Sequence, residues 1–328
     1  MFSKEAHLQK NTLSKEVDMA PTRDGYGMGI VEVGEKNENV IVLCADLSDS
    51  TRSAKFKEKF PDRYIQMGVA EQNMAAVATG LALQGKIPFI STYAVFCPGR
   101  NWDQIRISGC YNNANVKYAG AHSGISVGPD GATHQAMEDV ALTRVLPRMT
   151  VLVPCDREEA RKVVHAAAAI DGPVYFRFAR SASPAFTMHE TPFKIGKALV
   201  LREGKDVAII GAGPIIHSAL LAADRLIEKG ISCRVINSPS IKPIDEETIE
   251  QAARDCGAIV TCEEHQIMAG IGSAIAEVVV RTYPVPMEFV GMKNSFGESG
   301  EPDELLKKYK MDTAAIENAV RTVLKRKR

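Results

Sequence analysis

The chain has 328 residues, 45% apolar and 24% charged, with Lys plus Arg and Asp plus Glu balanced at 40 each. That length accommodates about two domains of ordinary size, and the charge balance leaves no global field to recruit nucleic acid, an acidic polymer or a membrane surface. The seven cysteines form no CxxC pair and read as reduced core thiols of a cytoplasmic protein, and the mixed charge of Met1 to Lys15 gives no expectation of a signal peptide.

Residues 1–19 are polar and read as an N-terminal extension. Ala20-Pro21-Thr22-Arg23-Asp24 then opens a helix to about Glu35, with Thr22 as its expected cap and Asp24 competing for that place. Val40 to Cys44 is nearly all apolar, as in a strand buried on both faces of a parallel sheet, and it runs into the polar loop Ala45 to Ser50. Tyr64 to Met67, Pro88 to Tyr93, Asn115 to Ala119, Thr150 to Pro154 and Val174 to Phe178 repeat the strand pattern. Helices are expected after Glu71, through Trp102 and Ile107, around Glu138 and Asp139, and from Arg157 to Ile170. This alternation predicts a doubly wound sheet over residues 20–182. Residues 183–196 read as a linker, and strands at 206–210, 232–236 and 258–261 with helices between them predict a second, smaller unit over 197–328. The expected fold class is α/β, with two domains that are each an open, mostly parallel sheet flanked by helices.

Within Gln66 to Gly80, QMGVAEQNMAAVATG, Glu71 is the single acid, set where a strand exit meets a helix of small apolar residues. Acids rarely enter such surroundings unless something binds them. A first-turn helix charge is the alternative reading. The low bulk of the helix suits close packing at a domain or subunit contact.

Other motifs carry less. Gly211-Ala212-Gly213-Pro214-Ile215-Ile216 opens like a dinucleotide fingerprint but has Ile216 where close helix packing needs glycine. Glu263-Glu264-His265 at a strand exit reads more as the start of a loop than as a site. No HExxH or cysteine pair offers a metal site in this chain. What remains at the strand ends of the first domain is Arg23, Ser50, His122, Asp130, His134 and Arg180. Guanidinium forks match phosphate oxygens, imidazoles donate to hydroxyls or shuttle protons, and Asp130 can accept from a sugar hydroxyl, so the set suits a phosphorylated polyhydroxy ligand.

From Ala20 onward the chain resembles the carboxyl-terminal half of the transketolases, and in particular the separately encoded second subunit of a split transketolase. The resemblance lies in Ala20 to Arg23, Ala45-Asp46-Leu47-Ser48-Asp49-Ser50, Gly68-Val69-Ala70-Glu71-Gln72-Asn73, His122, Asp130-Gly131-Ala132-Thr133-His134-Gln135 and Phe178-Ala179-Arg180-Ser181. It implies a pyrimidine-binding domain followed by the family's C-terminal domain. It further implies that Glu71 hydrogen-bonds the aminopyrimidine of thiamine diphosphate, that Tyr93 and Phe96 wall the ring, and that His134 and Asp130 meet the donor hydroxyls. His122, Arg23, Ser50 and Arg180 are then expected at the sugar phosphate, with Glu71 and His134 as the catalytic pair.

The GDG…Asn signature that carries Mg2+ and the diphosphate in this family is missing. The resemblance therefore implies an amino-terminal partner subunit that supplies it, an α2β2 assembly, and inactivity of this chain alone. Isolated copies are expected to self-associate through the helix after Glu71 and the second domain. Residues 97–101, CPGRN, depart from the family's aromatic-rich helix start, and Ala132 stands where proline is usual. The implied reaction is transfer of a two-carbon ketol unit between a ketose phosphate and an aldose phosphate. A deoxyxylulose-phosphate-synthase-like or other thiamine-diphosphate enzyme subunit, or a noncatalytic assembly or regulatory partner, stays open as an alternative.

Overall fold

The computed structural model describes residues 1–327. In chain order its strands are β1 (Met19–Pro21), β2 (Val40–Cys44), β3 (Tyr64–Gln66), β4 (Ile87–Tyr93), β5 (Lys117–Ala121), β6 (Thr150–Leu152), β7 (Val174–Phe178), β8 (Ala182–Pro184), β9 (Leu199–Arg202), β10 (Val207–Gly211), β11 (Cys233–Asn237), β12 (Ser240–Lys242), β13 (Ile259–Gln266) and β14 (Met287–Met292). The first large sheet has the order β12-β6-β7-β5-β4-β2-β3 and the second β14-β13-β10-β11-β9. Both are parallel apart from one antiparallel edge strand each, β12 and β9. Two α/β domains with helix-flanked, mostly parallel sheets result.

The strands with continuous apolar runs lie in the middle of these sheets, where both faces are covered. Every residue of β5, β7 and β10 is buried. The Thr22–Lys36 helix packs on the Arg157–Ala169 helix so closely that a Cβ at Gly25 would meet the Arg157 carbonyl, and one at Gly29 would lie 2.8 Å from Val164 Cβ. Glycine there permits a backbone approach that a side chain forbids.

Three features differ from the sequence expectation. Thr22 is not a cap: the helix is preceded by Pro21, and Thr22 Oγ1 accepts a 2.6 Å hydrogen bond from the Ala179 amide. The 183–196 stretch is tied down, since β8 pairs with β1 and the Phe186 and Thr187 amides donate to Asp156 Oδ2 at 2.9 and 2.7 Å. The first 19 residues are packed against both units: Phe2 bridges to Arg202, Leu8 to Thr187, His217 Nε2 donates to the Thr12 carbonyl at 2.7 Å, and Arg157 of the first unit donates to Asp18 at 3.1 Å.

β12 belongs by sequence to the second domain yet completes the edge of the first sheet. One apolar cluster likewise joins Tyr118 and Val151 of the first sheet to Ile210, Ile236 and Ile275 of the second unit. Polar groups join the same boundary. Glu263, Glu264 and His265 do not start a loop; they end β13 and are buried. Glu263 accepts from the Ile271 and Gly272 amides at 2.8 and 3.0 Å, so its carboxyl caps the Ile271–Thr282 helix. Burial pushes it up to about 7. His265 Nδ1 donates to the Gln266 carbonyl at 2.7 Å while Nε2 accepts from the Ala141 amide of the first domain at 3.3 Å.

Candidate active site

The carboxyl ends of β2, β3, β4, β5 and β7 open on one edge of the first sheet, the edge at which parallel α/β sheets bind ligands. Glu71 begins the Glu71–Leu83 helix just beyond β3 and is only 4% exposed. Its Oε1 accepts from Arg100 Nη1 at 3.0 Å, and its backbone carbonyl accepts from Asn101 Nδ2 at 3.3 Å. The two chain segments frame an open depression of about 750 Å³, lined by Val69, Ala70, Gln72 and Asn73 as well as Glu71 and Arg100.

From Glu71 a wall of flat groups leads along the edge. The Arg100 guanidinium lies 3.8 Å from the Phe96 ring centre. Phe96 stacks on Tyr93 at 5.8 Å, and Tyr93 stacks on His122 at 3.9 Å. His134 presents its edge to Tyr93 at 5.9 Å and to Phe96 at 5.5 Å. Its Nδ1 is engaged by Thr133 Oγ1 at 2.8 Å, so Nε2 is the nitrogen left for a ligand.

At the far end the charge is positive. The bond between Thr22 and Ala179 brings the start of the first long helix against the exit of β7, which sets Arg23 beside Arg180. Arg23 Nη1 donates to the Ser50 carbonyl at 3.0 Å, and Arg180 Nη1 to the Val127 carbonyl at 2.9 Å with Asp130 Oδ1 at 3.9 Å. Two buried nitrogens there, His122 Nδ1 and Arg23 Nε, have no partner among the described residues. Unpaired buried polar atoms are costly, and an anionic ligand is the group that would satisfy both.

Burial, and then the charges of Arg23, Arg180, His134 and Arg52, push His122 down to about 3. The unfolded imidazole titrates near its ordinary value of about 6.5, so below that pH the unfolded chain binds the proton more tightly. His122 therefore contributes stability above about pH 6.5 that is lost as pH falls toward its folded value. Replacing it by glutamine is expected to flatten that loss: the Tm of His122→Gln should fall less than the wild-type Tm between pH 7 and pH 4.5 by scanning calorimetry. Equal falls would contradict the assignment.

The structure thus gathers Glu71, Tyr93, Phe96, His122, His134, Arg23, Arg180, Asp130 and the backbone of Ser50 on one edge. Sequence reading missed Arg100 as the partner of Glu71. The only signal was its place in the irregular 97–101 stretch.

A model of the transketolase pyrimidine-binding domain matches residues 18–185, and a model of the transketolase C-terminal domain matches residues 196–316. The chain belongs to the transketolase family. A putative transketolase C-terminal section of Methanocaldococcus jannaschii is 41% identical, over 93% of this chain and 96% of that protein. A 6-deoxy-6-sulfo-D-fructose transketolase subunit of a Clostridium species is 39% identical, over 93% of this chain and 95% of that protein. Human transketolase is 37% identical over 94% of this chain but only 49% of its own length, so the chain spans about half of such full-length transketolases.

A solved structure described as a split gene transketolase in an inactive β4 tetramer aligns with a TM-score of 0.88 and 47% identity, covering 94% of this chain and 99% of that one. The transketolase of Campylobacter jejuni shares the fold, with a TM-score of 0.79 at 20% identity over half of that chain. Like the transketolase halves it resembles, the chain pairs a pyrimidine-binding domain with a C-terminal domain. Its candidate site lies wholly on the first.

Proposed function

We propose that this chain is the C-terminal subunit of a two-component transketolase of the cytoplasm, inactive until an amino-terminal subunit bearing the GDG…Asn motif joins it in an α2β2 assembly. The observation that carries this reading is the continuous wall from Glu71 through Phe96, Tyr93 and His122 to Arg23 and Arg180. A ring-binding carboxyl stands at one end and an anion seat at the other. The fit to an aminopyrimidine is supported by what Glu71 and Phe96 already hold, a flat nitrogen-rich group that donates to the carboxylate and covers the ring face.

Thiamine diphosphate, bound with Mg2+ held by the partner subunit, supplies a carbon nucleophile for reversible cleavage of a ketose next to its carbonyl. The residues of this chain bind and orient around that chemistry. Glu71 hydrogen-bonds the ring nitrogen and shares a proton with it. Tyr93 and Phe96 fix the ring plane by stacking. His134 Nε2 and the Asp130 carboxylate take the hydroxyls next to the donor carbonyl, where His134 can hand a proton to or from oxygen. Arg23, Arg180, His122 and Ser50 hold the sugar phosphate, and neutral His122 donates through Nδ1.

The supporting experiment compares donors in the reconstituted pair of subunits. Arg180→Ala is expected to raise KM for a phosphorylated ketose about 30–100-fold, the worth of a charge-assisted hydrogen bond, while kinetics with hydroxypyruvate, which has no phosphate, stay within about threefold. Equal losses with both donors would contradict a phosphate seat at Arg180. Pyruvate as the preferred donor would favour a deoxyxylulose-phosphate-synthase-like reaction instead.

A further inference from the structure

We infer that Arg100 is a built-in competitor for the ring seat: in the lone chain its guanidinium stands where the pyrimidine belongs, and it must swing out for the cofactor to bind. This rests on the assignment of Glu71 and Phe96 to that ring. Arg100 makes both contacts the ring would make, donating to Glu71 Oε1 at 3.0 Å and lying over the Phe96 face at 3.8 Å from its centre. A guanidinium is planar, carries its donors on its rim and stacks on aromatic faces, so it satisfies a carboxylate and a ring face together. Two flat groups cannot occupy one face of Phe96 and one oxygen of Glu71 at once.

The surroundings fix the root of Arg100 and leave its head free. Its amide donates to the Phe96 carbonyl at 2.9 Å, and a Cβ at the preceding Gly99 would run into the Val95 carbonyl, so the turn is tight. On the other side the buried Asn101 donates to the Glu71 carbonyl at 3.3 Å. The Arg100 side chain itself is 47% exposed, against 4% for Glu71. Rotation of one side chain into solvent therefore opens the seat without moving the backbone. Until then the buried carboxylate is paired and the ring face covered, so weak ligands without a diphosphate anchor are turned away. The competitor raises the threshold for binding by an amount set by one half-exposed ion pair and one cation–ring contact, roughly tenfold in affinity.

The test is calorimetric titration of thiamine, which has the ring but no diphosphate, into the isolated full chain. Arg100→Ala is expected to bind about tenfold more tightly than wild type. Arg106→Ala, which removes an exposed arginine nearby, controls for net charge and is expected to match wild type. Thiamine binding by Arg100→Ala that is absent, unchanged or weaker overturns the inference, and so does an equal gain in Arg106→Ala. In Glu71→Ala/Arg100→Ala the gain is expected to vanish. If it persists, Glu71 is not the ring's partner and the assignment beneath the inference fails separately.

Discussion

Glu71→Ala, in the complex of this chain with its diphosphate-binding partner, is expected to lower kcat by about 10³-fold or more with subunit association unchanged. The reason is the mismatch between how deeply Glu71 is placed and how little of the fold it supports. Its side chain is 4% exposed, yet among the described residues its carboxylate hydrogen-bonds only the half-exposed Arg100. The helix it begins is held instead by backbone bonds and by Met74, Ala75 and Ala78, which are fully buried. Truncation therefore removes the carboxylate assigned to the ring in the proposed function and almost no packing. Stopped assays of ketol transfer and sedimentation of the same sample separate the two effects. Full activity in the assembled variant would contradict the role given to Glu71, and loss of assembly would show it to be a structural acid.

Asp139→Ala is expected to have the largest effect on stability, destabilising the chain by roughly 3–5 kcal/mol. Asp139 is 2% exposed and accepts from Arg177 Nη1 at 3.1 Å and from the Tyr175 hydroxyl at 2.6 Å. Arg177, itself 5% exposed, donates onward to the Glu264 carbonyl of the second domain at 2.9 Å. Removing the carboxylate strands a guanidinium inside the boundary between the two units, where water cannot replace the lost partner. A fall in Tm of roughly 4–7 °C follows for a chain of this size, measured by scanning calorimetry. A change below about 2 °C would show that solvent reaches Arg177 and that the boundary is looser than its burial indicates.

Much of this was legible in the sequence because it depends on local patterns. Val40 to Cys44 is apolar at successive positions, the pattern of a strand covered on both faces, and it is an interior strand of its sheet. Glu71 stood out as one acid among small apolar residues, and it is buried. The loops carrying His122, Asp130 and His134 follow a strand exit, so their shared edge followed from topology.

What escaped the sequence depends on contacts between distant segments. Arg100 and Glu71 are 29 residues apart, and nothing in CPGRN marks one arginine as the partner of a particular acid. Thr22 looked like a helix cap because Ser and Thr commonly are, but the Ala179 amide, 157 residues away, takes its hydroxyl. Ser240–Lys242 is too short and too polar at its end to announce a strand, and it pairs across the domain boundary. Glu263 to His265 resemble a loop because three polar residues usually face water. Their burial is sustained by the Ile271, Gly272 and Ala141 amides, which become available only once the helices are packed.

The most direct test is equilibrium dialysis of thiamine diphosphate with Mg2+ against this chain, against the GDG-bearing subunit, and against their mixture. Tight retention and ketol transfer are expected only in the mixture, with retention lost when the mixture contains Glu71→Ala. A lone chain that retains the cofactor and turns over sugar phosphates, or a mixture whose retention ignores Glu71, would contradict a site divided between two polypeptides.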